Sequence, residues 1–95
     1  MRKIIFDLRS ADNMDEVHEI ISVSAGFPEW YGRNLDALYD LLTDICEPTC
    51  IGLFLPDWEG EKTGKLTALK AVFRDAEEEN DDLGVITVPE ADKGV

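Results

Sequence analysis

The chain has 95 residues, a length that suits one compact domain with a single hydrophobic core and leaves little room for a deep catalytic cleft. Its 21 acidic and 9 basic residues give a formal net charge of -12, which disfavours nucleic acid, anionic membranes and phosphate ligands and favours basic partners. Charged Asp7 and Arg9 interrupt the apolar start, and no window approaches the ~18 apolar residues of a membrane span, so we expect a cytoplasmic protein.

The first part of the chain predicts a strand followed by a helix. Residues 3–8 are rich in β-branched and aromatic types, with alternate apolar residues on one face, as in a half-buried strand. Asn13 stands three residues before Glu16, a capping-box pattern that predicts the start of a helix. The apolar residues that follow at helical spacing are Met14, Val17, Ile20 and Ile21.

Two further helices and two further strands are predicted in the rest of the chain. Asn34 can cap a second helix, and the nearly continuous apolar run at 50–55 predicts a strand covered on both faces. A third helix over 64–79 leads to a short last strand over 84–88. The apolar stripe of the second helix consists of Leu35, Leu38, Leu41, Leu42 and Ile45, and that of the third consists of Leu66, Leu69, Val72, Phe73 and Ala76.

Strands that alternate with helices predict an α/β fold built on a three-stranded parallel sheet with right-handed connections. Each link between strands is long enough for the crossover that parallel pairing requires. The sequence contains no repeat and no flexible linker, so residues 1–95 are expected to form a single domain with a frayed tail at 89–95.

Motifs for catalysis and metal binding are missing from the sequence, which has neither a nucleophile-elbow nor a phosphate-loop pattern. Cys46 and Cys50 are expected to be reduced and to be small, buried or half-buried apolar side chains rather than metal ligands. The single His18 stands among acidic Glu16 and Glu19 and is predicted to have a surface or capping role. We therefore expect no enzyme, no cofactor and no metal site, and a carboxylate-based metal-dependent enzyme is the least favoured alternative.

The second predicted helix carries a polar face opposite its leucine stripe. Asp36, Asp40 and Thr43 fall within about 60° of one another around the helix axis. Tyr39 lies at one edge of this face and Asp44 at the other. The helix dipole explains an aspartate in the first turn, at position 36. It does not explain Asp40 and Asp44, which lie farther along and repel each other slightly.

Two large aromatic residues precede this helix. Trp30 and Tyr31 stand in the loop at its N-terminal end, and at least one of them is expected to pack into the core. Aromatic side chains beside clustered carboxylates are typical of a protein-binding surface directed at a basic, concave partner. The sequence therefore predicts a face that binds a basic protein.

Residues 28–43, PEWYGRNLDALYDLLT, closely resemble the corresponding segment of the barstar family of ribonuclease inhibitors. A weaker likeness extends over most of the chain and includes the first helix and the later VFRDAEEE and ITV segments. The resemblance implies a barstar-like α/β fold, in which a three-stranded parallel sheet packs against three to four helices. It also implies an intracellular inhibitor whose second helix occupies a ribonuclease active site, with carboxylates in place of the substrate phosphates.

The resemblance also implies roles for individual residues. Asp40 matches the aspartate that enters the phosphate site most deeply, Asp36 matches a second acidic contact, and Trp30 matches an aromatic contact. Arg33 departs from the family pattern, which has a glutamate at this position. The partner-binding residues predicted from the resemblance and from the polar face are Trp30, Tyr31, Asn34, Asp36, Tyr39, Asp40, Thr43, Asp44 and Asp75.

The function predicted from the sequence is that of an immunity protein, which binds a basic ribonuclease or related nuclease toxin one-to-one and is monomeric when free. The alternative is a barstar-like interaction domain that has a partner other than a nuclease.

Overall fold

Three strands and three helices make up residues 1–58 and 64–88, the parts of the chain that the computed structural model describes. The strands are β1 (Arg2–Asp7), β2 (Thr49–Phe54) and β3 (Leu83–Val88), and the helices are α1 (Met14–Ala25), α2 (Leu35–Thr43) and α3 (Lys65–Glu79). These bounds agree with the predicted elements to within a residue or two. The tail at 89–95, predicted to be frayed, lies outside the described residues. In the described part of the chain, none of the helices is long and apolar enough to cross a membrane.

The three strands form one parallel sheet, as predicted, and their order in the sheet is β1-β2-β3. Ile51 in the central strand is in register with Ile4 on one side and Val85 on the other. Each connection between strands contains at least one helix, as parallel pairing requires. The resemblance implies three to four helices, and the described residues contain three.

The hydrophobic core lies between one face of the sheet and the helices. Phe6 of β1 and Phe73 of α3 meet edge to face, with ring centroids 5.8 Å apart. Fully buried side chains from all the helices and from the first two strands complete this core: Phe6, Val17, Ile21, Leu38, Leu42, Ile51, Leu53 and Leu69. The apolar stripes predicted for the helices supply these contacts.

The prediction that β2 is covered on both faces was wrong. Buried and half-buried residues alternate along this strand, so only one of its faces lies under the helices. On the other face, Ile5 and Ile86 are 56% and 57% exposed. They flank Gly52, and a side chain at position 52 would lie in very close contact with the side chain of Ile5. The Arg9 guanidinium lies 4.8 Å from the ring centroid of Phe54 on the same strand. The apolar residues of this face are therefore partly exposed, because no second layer of described helices covers them.

Side-chain caps begin the first two helices as the sequence predicts. The Asn13 side-chain oxygen accepts a hydrogen bond from the Glu16 backbone N–H at 2.9 Å, and the Asn34 oxygen accepts one from the Ala37 N–H at 2.8 Å. The Glu16 carboxylate accepts a hydrogen bond from the backbone N–H of Asp12 at 2.8 Å, one residue before the cap. These local bonds fix where α1 and α2 start.

The surface or capping role predicted for His18 was wrong, because the structure buries this side chain to 3% exposure. His18 lies on the inner side of α1, next to Val17 and one turn before Ile21. A 2.7 Å hydrogen bond joins its Nδ1 to the hydroxyl of Tyr31, which belongs to the loop before α2. The acidic neighbours in sequence face outward, since adjacent helical residues point in different directions. His18 therefore connects α1 to this loop.

Removing the Tyr31 hydroxyl should destabilise the fold. Tyr31→Phe leaves the buried imidazole without its hydrogen-bond partner, which should lower the free energy of unfolding by about 1 to 3 kcal/mol. Urea denaturation measures this change. Tyr39→Phe makes the same chemical change at a half-buried tyrosine of α2 and is the matched control. Equal effects of the two substitutions would contradict a special role for the His18–Tyr31 bond.

The same site should make stability depend on pH. Burial is the main cause that lowers the pKa of His18 below its ordinary value of 6.5, while nearby Asp15 raises this pKa and Arg33 lowers it. Between the lowered pKa of folded His18 and the ordinary value of 6.5, the unfolded chain binds a proton on His18 that the folded protein does not. The stability that neutral, buried His18 contributes is therefore complete above about pH 6.5 and is lost as the pH falls through its folded-state pKa.

We expect the free energy of unfolding to fall more steeply between about pH 7 and about pH 5.5 in the wild type than in His18→Asn. Urea denaturation across this range checks the prediction. Parallel curves for the two proteins would contradict it, because His18 is the only group in which they differ.

Candidate functional site

Helix α2 has an apolar side in the core and an acidic side in solvent. Leu38 and Leu42 are fully buried, whereas Asp36, Asp40 and the C-cap residue Asp44 are exposed. These aspartates thus lie where the helical projection predicts, away from the buried leucines. We call the three aspartates the acidic face.

The carboxylates of the acidic face have no cationic partner within residues 1–58 and 64–88. The ion pairs in this part of the chain join Arg2 to Glu47, Arg9 to Asp7 and Arg33 to Glu19. Exposed carboxylates accept hydrogen bonds from arginine, lysine and protonated histidine, the groups that also bind phosphate. The acidic face can therefore engage a basic surface without first breaking an ion pair within the described residues.

The two aromatic residues before α2 occupy opposite environments. Trp30 is 75% exposed, at the N-terminal end of the acidic face. Tyr31 is only 5% exposed and packs against Phe27, with ring centroids 5.1 Å apart, and against His18. The expectation that at least one of the pair enters the core is thus confirmed. The structure corrects the assignment of Tyr31 to the partner-binding surface, because its ring lies inside the protein.

Tyr31 supports the loop that carries Trp30. Burial raises the pKa of Tyr31 to about 12, so its hydroxyl remains protonated and available for the hydrogen bond to His18 at neutral pH. A second contact joins this loop to α1: the Arg33 guanidinium forms an ion pair with Glu19 of α1 at 2.6 Å. The loop is therefore attached to α1 at both Tyr31 and Arg33.

Arg33 is also the junction between this loop and α2. It has a φ of 56°, the left-handed region that side chains other than glycine rarely adopt, and the cap residue Asn34 follows it directly. The ion pair with Glu19 offsets the positive charge of Arg33 beside the acidic face. Asn34, predicted to bind the partner, uses its side-chain oxygen to cap α2 and its amide to donate to the Gly32 carbonyl at 3.3 Å.

The other predicted site residues differ in exposure and in the element that carries them. Tyr39 and Thr43 are half-buried, and the Thr43 hydroxyl donates to the backbone carbonyls of Tyr39 and Asp40 at 2.9 and 3.1 Å. Asp75 is exposed on α3, the helix against which α2 packs. Trp30 and the aspartates thus belong to a loop and a helix that follow one another in the chain, whereas Asp75 belongs to α3.

Asn80 is a supporting residue that the sequence does not reveal. Its side-chain amide donates to the backbone carbonyls of Leu42 and Ile45, at 3.1 and 2.8 Å, from the end of α3. The sequence separation is 38 and 35 residues, so no local pattern could have indicated the contact. His18 is the single histidine of the sequence, but its burial likewise depends on a contact that no local pattern indicates, the one with Tyr31.

In the described residues, no three His, Cys, Asp or Glu side chains come together to hold a metal ion. The expected burial of the cysteines was wrong for Cys46, which is exposed, whereas Cys50 is half-buried. The surface formed by α2 and the loop before it offers exposed carboxylates, which have no cationic partner in the described residues, and the exposed indole ring of Trp30. Such an arrangement can make charged hydrogen bonds and apolar contacts with another protein.

Comparison with known proteins identifies a family and a relative. The family model described as "Barstar (barnase inhibitor)" matches residues 1–88. A protein of Bacillus subtilis (strain 168), named "Putative ribonuclease inhibitor YrdF", is 51% identical over 43 residues. This match covers 45% of the chain and 47% of the relative, so it spans less than half the length of either protein. Because the family model covers nearly the whole chain and the fold has the three parallel strands that the resemblance implies, the protein belongs to the barstar family.

Proposed function

We propose that this protein is a stoichiometric inhibitor, an immunity protein for a microbial ribonuclease or related nuclease toxin. In this proposal the acidic face of α2 enters the active site of the nuclease and its carboxylates take the places of substrate phosphates. The observation that carries the proposal is the exposure of Asp36, Asp40 and Asp44, without internal cationic partners in the described residues, beside the exposed ring of Trp30. Membership of a family described as barnase inhibitors supports it.

Charge explains why such an inhibitor would find its target quickly. A ribonuclease must be basic where it holds RNA, and a chain with a net charge of -12 is attracted to that surface over a long range. Once docked, the carboxylates lose water, which costs free energy. The cations that the nuclease already arranges for phosphate offset this cost through charged hydrogen bonds.

Apolar contact from Trp30 would determine how long the complex lasts. Its ring is 75% exposed in the free protein, so the ring can be buried on binding without unfolding the loop. A large aromatic side chain that becomes buried at an interface contributes disproportionately to affinity. The inhibitor would act by occupation alone, one-to-one, with no turnover and no cofactor.

The central aspartate should matter far more than the terminal one. Asp40→Ala should weaken binding by about a hundredfold or more, because it leaves buried cations of the nuclease unpaired, a loss of ~3 kcal/mol. Asp44→Ala should weaken binding by less than about tenfold, since Asp44 lies at the edge of the face, where ion pairs stay hydrated. Both substitutions remove one negative charge from exposed positions, so each is the matched control of the other.

The measurement is calorimetric titration of each protein into barnase and into any nuclease encoded by a neighbouring gene, with RNA cleavage followed in parallel. One-to-one binding that abolishes cleavage supports the proposal. Equal small losses for the two variants would reject the acidic face as the binding surface. Binding to neither nuclease would favour an interaction domain with a different partner.

Trp30 should act on dissociation rather than association. Trp30→Ala should raise the dissociation rate constant by about tenfold or more and leave the association rate constant nearly unchanged, because it removes apolar contact and no charge. Surface plasmon resonance with the inhibited nuclease separates the two rates. Val23→Ala, which shortens an exposed apolar side chain of α1, is the control and should change neither rate. A fall in the association rate of Trp30→Ala alone would contradict this role.

A further inference from the structure

The acidic face belongs to a short helix whose orientation depends on contacts at its ends. α2 has nine residues, too few to be stable as an isolated helix. Among the other helices and strands, it makes its most extensive contacts with α3. At its N-terminal end, the Asn34 cap and the loop attached to α1 hold it in place. The C-terminal end therefore needs a support of its own.

That end has an unfavourable electrostatic setting. The last carbonyls of a helix lack intrahelical partners and form the negative end of its dipole. Basic residues usually compensate, but α2 has none in its last turn, and its C-cap residue is the acidic Asp44. Uncharged hydrogen-bond donors from another element can satisfy these carbonyls without cancelling the negative charge of the face.

Asn80 supplies one such donor to Leu42, in the last turn of α2, and a second to Ile45, which directly follows the C-cap residue. Its amide nitrogen donates to the carbonyls of Leu42 at 3.1 Å and Ile45 at 2.8 Å, and its side-chain oxygen accepts from the Asp82 N–H at 2.9 Å. Its backbone N–H donates to the Ala76 carbonyl at 2.9 Å, and its own carbonyl accepts from the Leu83 N–H at 3.0 Å. One half-buried residue thus joins the end of α3, the turn into β3 and the last turn of α2.

The two functions of the amide explain why asparagine suits this position. The side chain must donate twice on one side and accept once on the other, which a primary amide does. Aspartate would place a carboxylate against two carbonyl oxygens, and alanine would leave both carbonyls without this partner. Of these three residues, asparagine alone satisfies every group.

We propose that Asn80 is a positioning residue for the acidic face. It holds the last turn of α2 against α3, so that Asp40 and Asp44 are presented in one orientation before the nuclease arrives. The helix end then does not have to become ordered on binding, which lowers the free-energy cost of forming the complex. The consequence for inhibition rests on the proposed function, whereas the effect on α2 itself does not.

Hydrogen exchange measured by NMR tests the effect on α2 in the free protein. In Asn80→Asp, exchange protection of the backbone amides of 41–44 should fall by about tenfold or more relative to those of α1. Asn80→Ala, which removes the donors without adding charge, should loosen the same amides. Thr67→Asp adds the same charge at an exposed position of α3, far along the sequence from its C-terminal end, and should leave them protected.

Unchanged protection of 41–44 in both Asn80 variants would overturn the proposal. A loss spread equally over α1 and α3 would overturn it as well, because it would show that Asn80 contributes only to global stability. Loss of exchange protection confined to α2 supports the positioning role. If in addition the wild-type protein inhibits no nuclease, only the proposed function is rejected.

The dissociation rate of the complex tests the consequence for binding, with barnase or the nuclease that the titrations identify as the probe. Under conditions where both variants remain fully folded by circular dichroism, Asn80→Asp and Asn80→Ala should each dissociate about tenfold faster than the wild type. Thr67→Asp should dissociate at the wild-type rate. Unchanged dissociation of both Asn80 variants, together with a loosened α2, would overturn the link between helix position and inhibition.

Discussion

The burial of Leu38 and Leu42 is the constraint on which the candidate site depends. Both side chains lie fully within the core, and each such burial contributes about 2 kcal/mol of hydrophobic stabilisation. Successive residues of a helix are rotated by about 100°, so burying these two turns Asp36 and Asp40 toward solvent. The interaction that folds α2 onto the protein thus also exposes its carboxylates.

Burial sets the rotation of α2 about its axis, and contacts at the two ends determine where the helix lies. The His18–Tyr31 hydrogen bond attaches the preceding loop to α1, and Asn80 attaches the last turn to the end of α3. The Arg33–Glu19 ion pair completes this support. It also explains how an arginine is accommodated beside an acidic face: a glutamate of the same protein offsets its charge, and the aspartates remain unpaired in the described residues.

The predictions that succeeded concern features with local signals. The asparagine caps join atoms three residues apart, and the leucine stripe and the aspartates of α2 follow from one helical period. The failures concern contacts between distant segments. Acidic neighbours suggested an exposed His18, but the loop before α2 covers it. An apolar run suggested that β2 lies between two layers, but only one face of the sheet carries helices.

Local sequence patterns were enough to predict the succession of strands and helices along the chain, the parallel pairing of the strands, and the separation of acidic and apolar sides on α2. Each of these follows from periodicity, from caps, or from the length of the links between strands. Long-range packing buries Tyr31 while it leaves Trp30 exposed, and it places the Asn80 amide against carbonyls 38 and 35 residues earlier, at the end of α2 and just past it. Adjacent aromatic residues have equal reason to enter the core, and an asparagine has no preferred distant partner. Which aromatic ring is buried, and which carbonyls the asparagine contacts, is therefore settled only when the helices pack together.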